Sequence, residues 1–195
     1  MQNEQRRPGG GGAAGYLTTG HSEDTAPEAL GQAASLYANF GWPVFPCQPR
    51  GKTTLARLAP NAVHSATTDR ETVARWWRQE PRANIGLACG VAFWCLDLDP
   101  DKGAIETLAQ LELEHGPLPA TVAAITGSGG RHYYFAPSAR PLNWANRLGT
   151  KLDTRNTGGY VVAPPSIHPN GNAYQWLDGH APGKRFALDF KAMRE

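Results

Sequence analysis

The sequence predicts an α+β domain in which helices flank a mixed or antiparallel sheet. Apolar residues recur at helical spacing in some segments and form short strand-like runs in others. Most of these runs follow one another in the second half of the chain, without the regular alternation of a parallel βαβ array. With 195 residues, 41% of them hydrophobic, the chain is long enough to bury one sizeable core.

Helices are predicted where apolar spacing coincides with sequences that begin a helix. The first covers residues 25–40 and begins at the capping-box sequence Thr25-Ala-Pro-Glu28. The second covers residues 68–80 and begins at another capping box, Thr68-Asp-Arg-Glu71. A third is predicted over residues 103–115, where leucine and isoleucine recur on one side.

Short apolar runs bounded by glycine or proline predict the strands of the sheet. Gly127-Ser-Gly-Gly130 separates two of these runs. It lacks the Lys-Ser/Thr of a phosphate-binding P-loop and precedes a strand, so a hairpin turn is one interpretation. The predicted strands are residues 42–46, 84–89, 93–99, 121–126, 132–135, 159–163 and 174–176.

Composition excludes several classes of protein. Residues 1–24 are polar and Gly-rich, which predicts a disordered tail before an ordered region at 25–195. No apolar run reaches the length of a membrane span or of a signal peptide, so no membrane partner is expected. The three cysteines form no C-x-x-C pair, which predicts buried, reduced thiols, a cytoplasmic location and no structural zinc.

Basic residues cluster in one part of a nearly neutral chain. The formal net charge of +2 does not by itself indicate a nucleic-acid partner. Between residues 131 and 155, however, there are five basic residues and only one acidic residue. This pattern is typical of a polyanion-binding face, although a solvated basic loop gives the same pattern. The basic residues are Arg131, Arg140, Arg147, Lys151 and Arg155.

The apolar run Phe93–Leu96 ends in two carboxylates one residue apart, Asp97 and Asp99. Side chains at positions i and i+2 of a strand point to the same face, so the two acids project side by side. Buried charge needs a partner, and hard divalent cations prefer oxygen ligands. A metal site and a solvated strand end are the two interpretations. A calcium loop is excluded, because the glycine falls at its seventh position, Gly103, where the sixth is needed, and Leu108 stands at the twelfth position, which needs a bidentate acid.

Arg131 and His132 follow the glycine-rich turn directly. The N–H groups of such a turn can form an anion-binding nest, and arginine and histidine add donors for phosphate oxygens. A triphosphate is therefore a predicted ligand. A single histidine in His132-Tyr-Tyr argues against a relaxase-type nicking enzyme. Asp153 is either a turn-forming residue in a loop or a third carboxylate, and three carboxylates suit two magnesium ions that also bind phosphates.

In this order, the motifs resemble the bifunctional primase–polymerase (prim-pol) domains of the archaeo-eukaryotic primase superfamily, found in plasmid, phage and mobile-element replication proteins. Asp97-Leu-Asp99 is similar to the Asp-x-Asp/Glu pair of that family, Gly127–His132 to its small-residue turn ending in histidine, and Leu152-Asp153 to its later acid. One departure is Asn156-Thr157, which replaces a Gly-Asp-like pair and bears on whether Asp153 reaches the other acids. Supporting similarities lie in Gly41–Pro46, Gly51-Lys52, Ala83–Gly86 and Gly158–His168.

The resemblance implies a prim-pol catalytic domain over residues 25–195 that performs template-directed nucleotidyl transfer, as a DNA polymerase and a primase. It implies two Mg²⁺ or Mn²⁺ ions bound by Asp97, Asp99 and Asp153, with His132 completing the catalytic set. The expected partners are single-stranded or primed DNA and nucleoside triphosphates. The implied nucleotide-binding residues are Lys52, Ser128, Gly129, Gly130, Arg131, His132, Arg155, Ser166 and His168.

Two alternatives remain open at this point. A non-catalytic replication-origin DNA-binding module would use the basic face without the three acids. A polymerase that extends primers or fills gaps would use the acids but would not start chains. The chain is also expected to be a fragment of a larger replicase, with a helicase domain elsewhere in the same polypeptide.

Overall fold

Helices and antiparallel strands occur together in the structure, which confirms the α+β prediction. It is a computed structural model that describes residues 27–100, 103–137, 143, 145 and 152–183. The helices are α1 (Pro27–Asn39), α2 (Arg70–Gln79) and α3 (Ala104–His115), with a 3-10 helix at Ala62–Ser65. The strands are β1 (Val44–Cys47), β2 (Asn84–Ala88), β3 (Trp94–Leu98), β4 (Val122–Ile125), β5 (Arg131–Phe135), β6 (Leu152–Arg155), β7 (Tyr160–Ala163) and β8 (Gln175–Trp176).

Within the described residues, the strands form two sheets. Sheet A has the order β1-β2-β7, and sheet B has the order β6-β3-β5-β4-β8. Neighbouring strands are antiparallel throughout. Because β3 lies between β5 and β6, each side chain near its end has a cross-strand neighbour on both sides.

The two faces of sheet B bury different parts of the core. One face packs against α3 through a cluster that includes Leu96, Leu98 and Leu108, and burying each leucine contributes about 1.5–3 kcal/mol. The opposite face, with Cys95 and Tyr134, belongs to a larger cluster shared with sheet A, α1 and α2. Side chains alternate along β3, so Asp97 shares the face of Cys95, at the end of the larger cluster.

The second helix begins one residue later than its sequence predicts. Asp69, not Thr68, is the N-cap of α2, and its Oδ2 accepts the backbone N–H of Thr72 at 2.9 Å. Aspartate caps a helix at least as well as threonine, and Asp69 has the extended backbone that a cap requires. The predicted tail at 1–24 and the capping residue Thr25 lie outside the described residues.

The interpretation of Asp153 as a turn-forming residue in a loop is wrong, because Leu152–Arg155 is strand β6. Leu152 and Thr154 are buried, whereas Asp153 and Arg155 are half-buried on the other face. The strand has four residues and one large apolar side chain, so its period-two signal is weak.

The prediction of buried thiols is confirmed, and the described helices were also compared with the requirements of a membrane span. All three thiols, Cys47, Cys89 and Cys95, are free and buried, as predicted. No helix in the described ranges combines the length and apolar character needed to cross a membrane.

Candidate active site

Three of the predicted catalytic side chains lie in one row across sheet B. Asp97 of β3 is in register with His132 of β5 on one side and with Asp153 of β6 on the other. Directly opposed residues of antiparallel strands project from the same face of a sheet. Strand pairing therefore brings together side chains from three separate motifs.

Asp97 is at the centre of this row and contacts a nitrogen on each side. His132 Nε2 lies 3.4 Å from Asp97 Oδ1. Arg155 Nη2 lies 3.2 Å from Asp97 Oδ2 and 3.0 Å from Asp153 Oδ2, so one guanidinium contacts both carboxylates. The His132 side chain is only 7% exposed, whereas each of the two aspartate side chains is 25% exposed. The row is thus open to solvent at its acids and closed at its histidine.

The environment of Asp97 favours its charged form. Burial opposes ionisation and by itself would raise the pKa of Asp97. The hydrogen bond and charge of His132, followed by those of Arg155, outweigh burial and hold the pKa below its ordinary value. Asp97 is therefore a carboxylate at neutral pH. Asp99 follows the last residue of β3 directly and is exposed.

The Gly127–Gly130 segment is a hairpin turn between β4 and β5, as one interpretation predicted. The Gly129 N–H donates to Thr126 O at 2.9 Å and closes the turn. Gly129 has φ +91°, which a residue with a Cβ rarely adopts. Ser128 and Gly129 are exposed, whereas Gly130 is buried. The turn thus presents Ser128 to solvent near the start of the strand that carries His132.

A second hairpin, Ile167–Ala173, is clamped onto this turn. Its ends are joined by a β-bridge between Ile167 and Ala173. The side-chain amides of Asn170 and Asn172 both donate to Gly127 O, at 2.8 Å and 3.0 Å. A Cβ at Gly127 would clash with the Cβ of His168. The clamp therefore brings His168, a predicted nucleotide-binding residue, against the glycine turn.

Asn84 ties the base of that hairpin to sheet A and was not singled out by the sequence. It is 1% exposed, and its Nδ2 donates to Gly51 O at 2.9 Å and to Ile167 O at 2.6 Å. Its Oδ1 accepts the Ile167 N–H at 2.9 Å. Lys52, next to Gly51, is exposed. A polar residue at the head of an otherwise apolar strand was the available signal for Asn84.

Ser166 has a structural position, although a nucleotide contact was predicted for it. It is completely buried, and its Oγ accepts the backbone N–H of Ile85 at 2.8 Å. This bond joins the base of the Ile167–Ala173 hairpin to β2. Ser166 therefore supports the loop that carries His168 and does not face solvent.

Tyr174 lies between the two histidines of the site and was not predicted as a site residue. Its ring centroid is 6.1 Å from that of His132 and 6.0 Å from that of His168. The residue is 2% exposed. Burial, and then the charge of Asp97, raise the pKa of its hydroxyl, which is therefore a neutral phenol at physiological pH.

A comparison with models of known protein families gives a match that covers most of the chain. The family model for the N-terminal domain of bifunctional DNA primase/polymerase matches residues 33–187, which is more than half of the chain. The chain belongs to this family. The prim-pol match includes the row, the glycine turn and the Ile167–Ala173 hairpin. A search of curated proteins found no match.

Prim-pol membership implies a nucleotidyltransferase that uses a DNA template and nucleotide substrates, and the family typically uses divalent metal ions. The donor chemistry of the row fits such ions, because carboxylate oxygens are their preferred ligands. Across the described part of the chain, no group of three His, Cys, Asp or Glu side chains is arranged to hold a metal ion. A cation from the chain itself, the Arg155 guanidinium, contacts Asp97 and Asp153.

The structure also shows where Arg131 points and whether the Asn156-Thr157 departure displaces Asp153. Arg131, expected to bind a triphosphate beside His132, projects from the opposite face of β5, because neighbouring strand residues alternate. Its Nη1 donates to the Tyr133 hydroxyl on that face at 3.2 Å. The Asn156-Thr157 departure does not displace Asp153, which is in register with Asp97. Of the basic patch, Arg140, Arg147 and Lys151 lie outside the described residues.

Proposed function

We propose that the row formed by Asp97, His132 and Asp153 is the active site of a template-directed nucleotidyltransferase that extends DNA. The register across β6, β3 and β5 is the observation that carries this proposal. It gathers two acids and a histidine beside a glycine turn that is open to solvent at Ser128. An accidental polar strand end would not require three motifs to meet in one row.

In the proposed reaction, the 3′-hydroxyl of a primer, or of an initiating nucleotide, attacks the α-phosphate of an incoming nucleotide. A new phosphodiester bond forms, and pyrophosphate leaves. Asp97, Asp99 and Asp153 would hold two Mg²⁺ or Mn²⁺ ions, which when bound stabilise the charge on the attacking and leaving oxygens. Asp97 is suited to this role because its pKa is held below the ordinary value.

The remaining residues would bind and orient the nucleotide. His132 is held by Asp97 on one side and packs near Tyr174 on the other, so its ring is fixed before substrate arrives. Ser128 offers an exposed hydroxyl, with its Oγ 3.0 Å from Thr126 Oγ. His168 and Lys52 add donors from the two loops that Asn84 joins. Gly129 supplies the turn conformation, since its N–H is already used.

The test is incorporation of labelled nucleotides on primed and unprimed single-stranded templates, with Mg²⁺ or Mn²⁺. We expect extension by the wild type and its loss in the Asp97→Asn, Asp99→Asn double variant, with unchanged circular dichroism. The exposed Asp178→Asn variant is the matched control and should extend normally. Full extension by the folded double variant would refute the assignment of the acids.

A second measurement addresses His132. His132→Ala should mainly raise the nucleotide KM, because the residue is proposed to bind the triphosphate. An unchanged KM together with a normal kcat would remove His132 from the site.

Products from unprimed templates would establish priming in addition to extension. Extension of primers alone would identify a polymerase that does not start chains. Tight DNA binding without any incorporation would favour the non-catalytic origin-binding module. A helicase domain in the same polypeptide and a cytoplasmic location stay predictions.

A further inference from the structure

We infer that Arg155 is a built-in competitor of the metal ions: it holds Asp97 and Asp153 in the metal-free protein and must leave before ions bind both acids. This inference rests on the proposed function of the row. Arg155 Nη2 contacts Oδ2 of both carboxylates at 3.2 Å and 3.0 Å, and its Nε lies 3.4 Å from the same oxygen of Asp97. The guanidinium therefore neutralises the charge that the ions would otherwise bind.

The register explains why the metal-free site needs a cation. Asp97 and Asp153 are directly opposite one another on adjacent strands. Like charges in that position destabilise a sheet, because their side chains are within about 5 Å. Arg155 follows Asp153 by two residues on β6 and so shares its face. The same short strand thus supplies both one of the repelling acids and the cation that relieves the repulsion.

Arg155 can leave without disturbing the sheet. The backbone of Arg155 is held by pairing with Cys95 of β3. Because Cys95 is completely buried, the space beside it is filled, and the Arg155 side chain can move only toward solvent. The Arg155 side chain is 39% exposed, compared with 25% for each acid, and rotation toward solvent opens the space between the carboxylates. Once displaced, the planar guanidinium fork suits phosphate oxygens. An incoming triphosphate would then replace the partners that Arg155 has lost.

The test measures Mn²⁺ binding to the full chain by electron paramagnetic resonance of the free ion, without nucleotide. Arg155→Gln should bind Mn²⁺ on the order of tenfold more tightly than the wild type, the size of effect that one neighbouring charge has on a carboxylate. Arg155→Lys keeps a charge but not the fork, and an intermediate affinity is expected. Arg57→Gln, which removes an arginine paired with Glu80 elsewhere, is the matched control and should leave the affinity unchanged.

A second readout separates this role from simple structural support. Without metal, Arg155→Gln should have a lower melting temperature than the wild type, because the two acids repel, and Mn²⁺ should restore it. The nucleotide KM of the same variant should rise although its metal binding tightens. Loss of a purely structural residue would not strengthen Mn²⁺ binding while weakening nucleotide binding.

The outcomes distinguish failure of this inference from failure of the proposed function. If Arg155→Gln and Arg155→Lys bind Mn²⁺ no more tightly than the wild type, while all three extend primers, the competition is refuted and the active site stands. An unchanged nucleotide KM would refute the transfer of Arg155 to phosphate. If no variant binds Mn²⁺ and none incorporates nucleotide, the proposed function fails and the inference fails with it.

Discussion

Replacing Asn84 with alanine should destabilise the protein and weaken nucleotide binding together. Asn84 is 1% exposed and makes three hydrogen bonds, two from Nδ2 to Gly51 O and Ile167 O and one from the Ile167 N–H to Oδ1. Each such bond contributes about 1 kcal/mol net, so the variant should lose roughly 3 kcal/mol of unfolding free energy. For a chain of this size, the melting temperature should fall by about 6–12 °C.

The assay is urea unfolding followed by circular dichroism, with nucleotide KM measured on the same preparations. Typical domains have about 5–15 kcal/mol of stability, so Asn84→Ala should remain folded at low temperature. Asn84→Asp keeps the Oδ1 acceptor but turns a carboxylate toward two carbonyl oxygens, and it should be at least as destabilised. The exposed Asn39→Ala is the matched control and should change stability by less than about 0.5 kcal/mol.

The KM readout tests the proposed connection between the loops. Without Asn84, the loop of Lys52 and the Ile167–Ala173 hairpin lose their shared anchor, so nucleotide KM should rise more than kcat falls. A loss of stability within 0.5 kcal/mol of the Asn39→Ala control would refute the reasoning about the buried amide. A large loss of stability with an unchanged nucleotide KM would show that Asn84 stabilises the fold but does not affect nucleotide binding.

Other predictions concern the buried groups and the clamp. Burial raises the pKa of all three thiols, that of Cys47 to about 12, so a thiol reagent should label none of them in the native protein and all three in denaturant; rapid native labelling would contradict the packing. Burial likewise raises the pKa of several phenols above that of the unfolded chain, about 10. The stability that these buried neutral phenols contribute should therefore be fully present below pH 10 and decrease above it. Absorbance at 295 nm, which reports tyrosine ionisation, should rise together with unfolding. Full tyrosine ionisation while the circular dichroism stays native would contradict this prediction. These phenols are Tyr37, Tyr134 and Tyr174. Gly127→Ala would place a Cβ 2.7 Å from Asn172 O and against His168, so it should raise nucleotide KM and lower the melting temperature, whereas Gly183→Ala, with open space around it, should do neither.

The sequence predicted most elements of the fold because their signals are local. Capping sequences and apolar spacing located the helices, with α2 displaced by one residue because Asp69 competed with Thr68 for the cap. Strand β6 was missed because its identity depends on pairing with β3, which no four-residue pattern contains. Long-range pairing of this kind becomes visible only once the sheet order is known.

The sequence motifs indicated the acids and the histidine of the candidate site, but not the positions of the residues that surround them. The alternation of strand residues alone would have separated Arg131 from His132, since adjacent residues face opposite sides. Tyr174 could not be found in this way, because a buried tyrosine near a strand is ordinarily core. The contact of Arg155 with both acids depends on side-chain conformation as well as on register, so the motif Leu152-Asp153 did not reveal it.

The aromatic rings beneath the row provide an intrinsic spectroscopic signal from the site. Trp42 stacks on Tyr134 with centroids 5.8 Å apart and planes at 12°, and it also meets Phe93 and Trp176. The Tyr134 hydroxyl lies 3.5 Å from His132 Nδ1, so the stack ends directly under a proposed ligand of the triphosphate. Rigid, closely coupled rings have strong near-ultraviolet dichroism. Occupation of the site should therefore be visible in the unlabelled wild-type protein, before any nucleotide has been turned over.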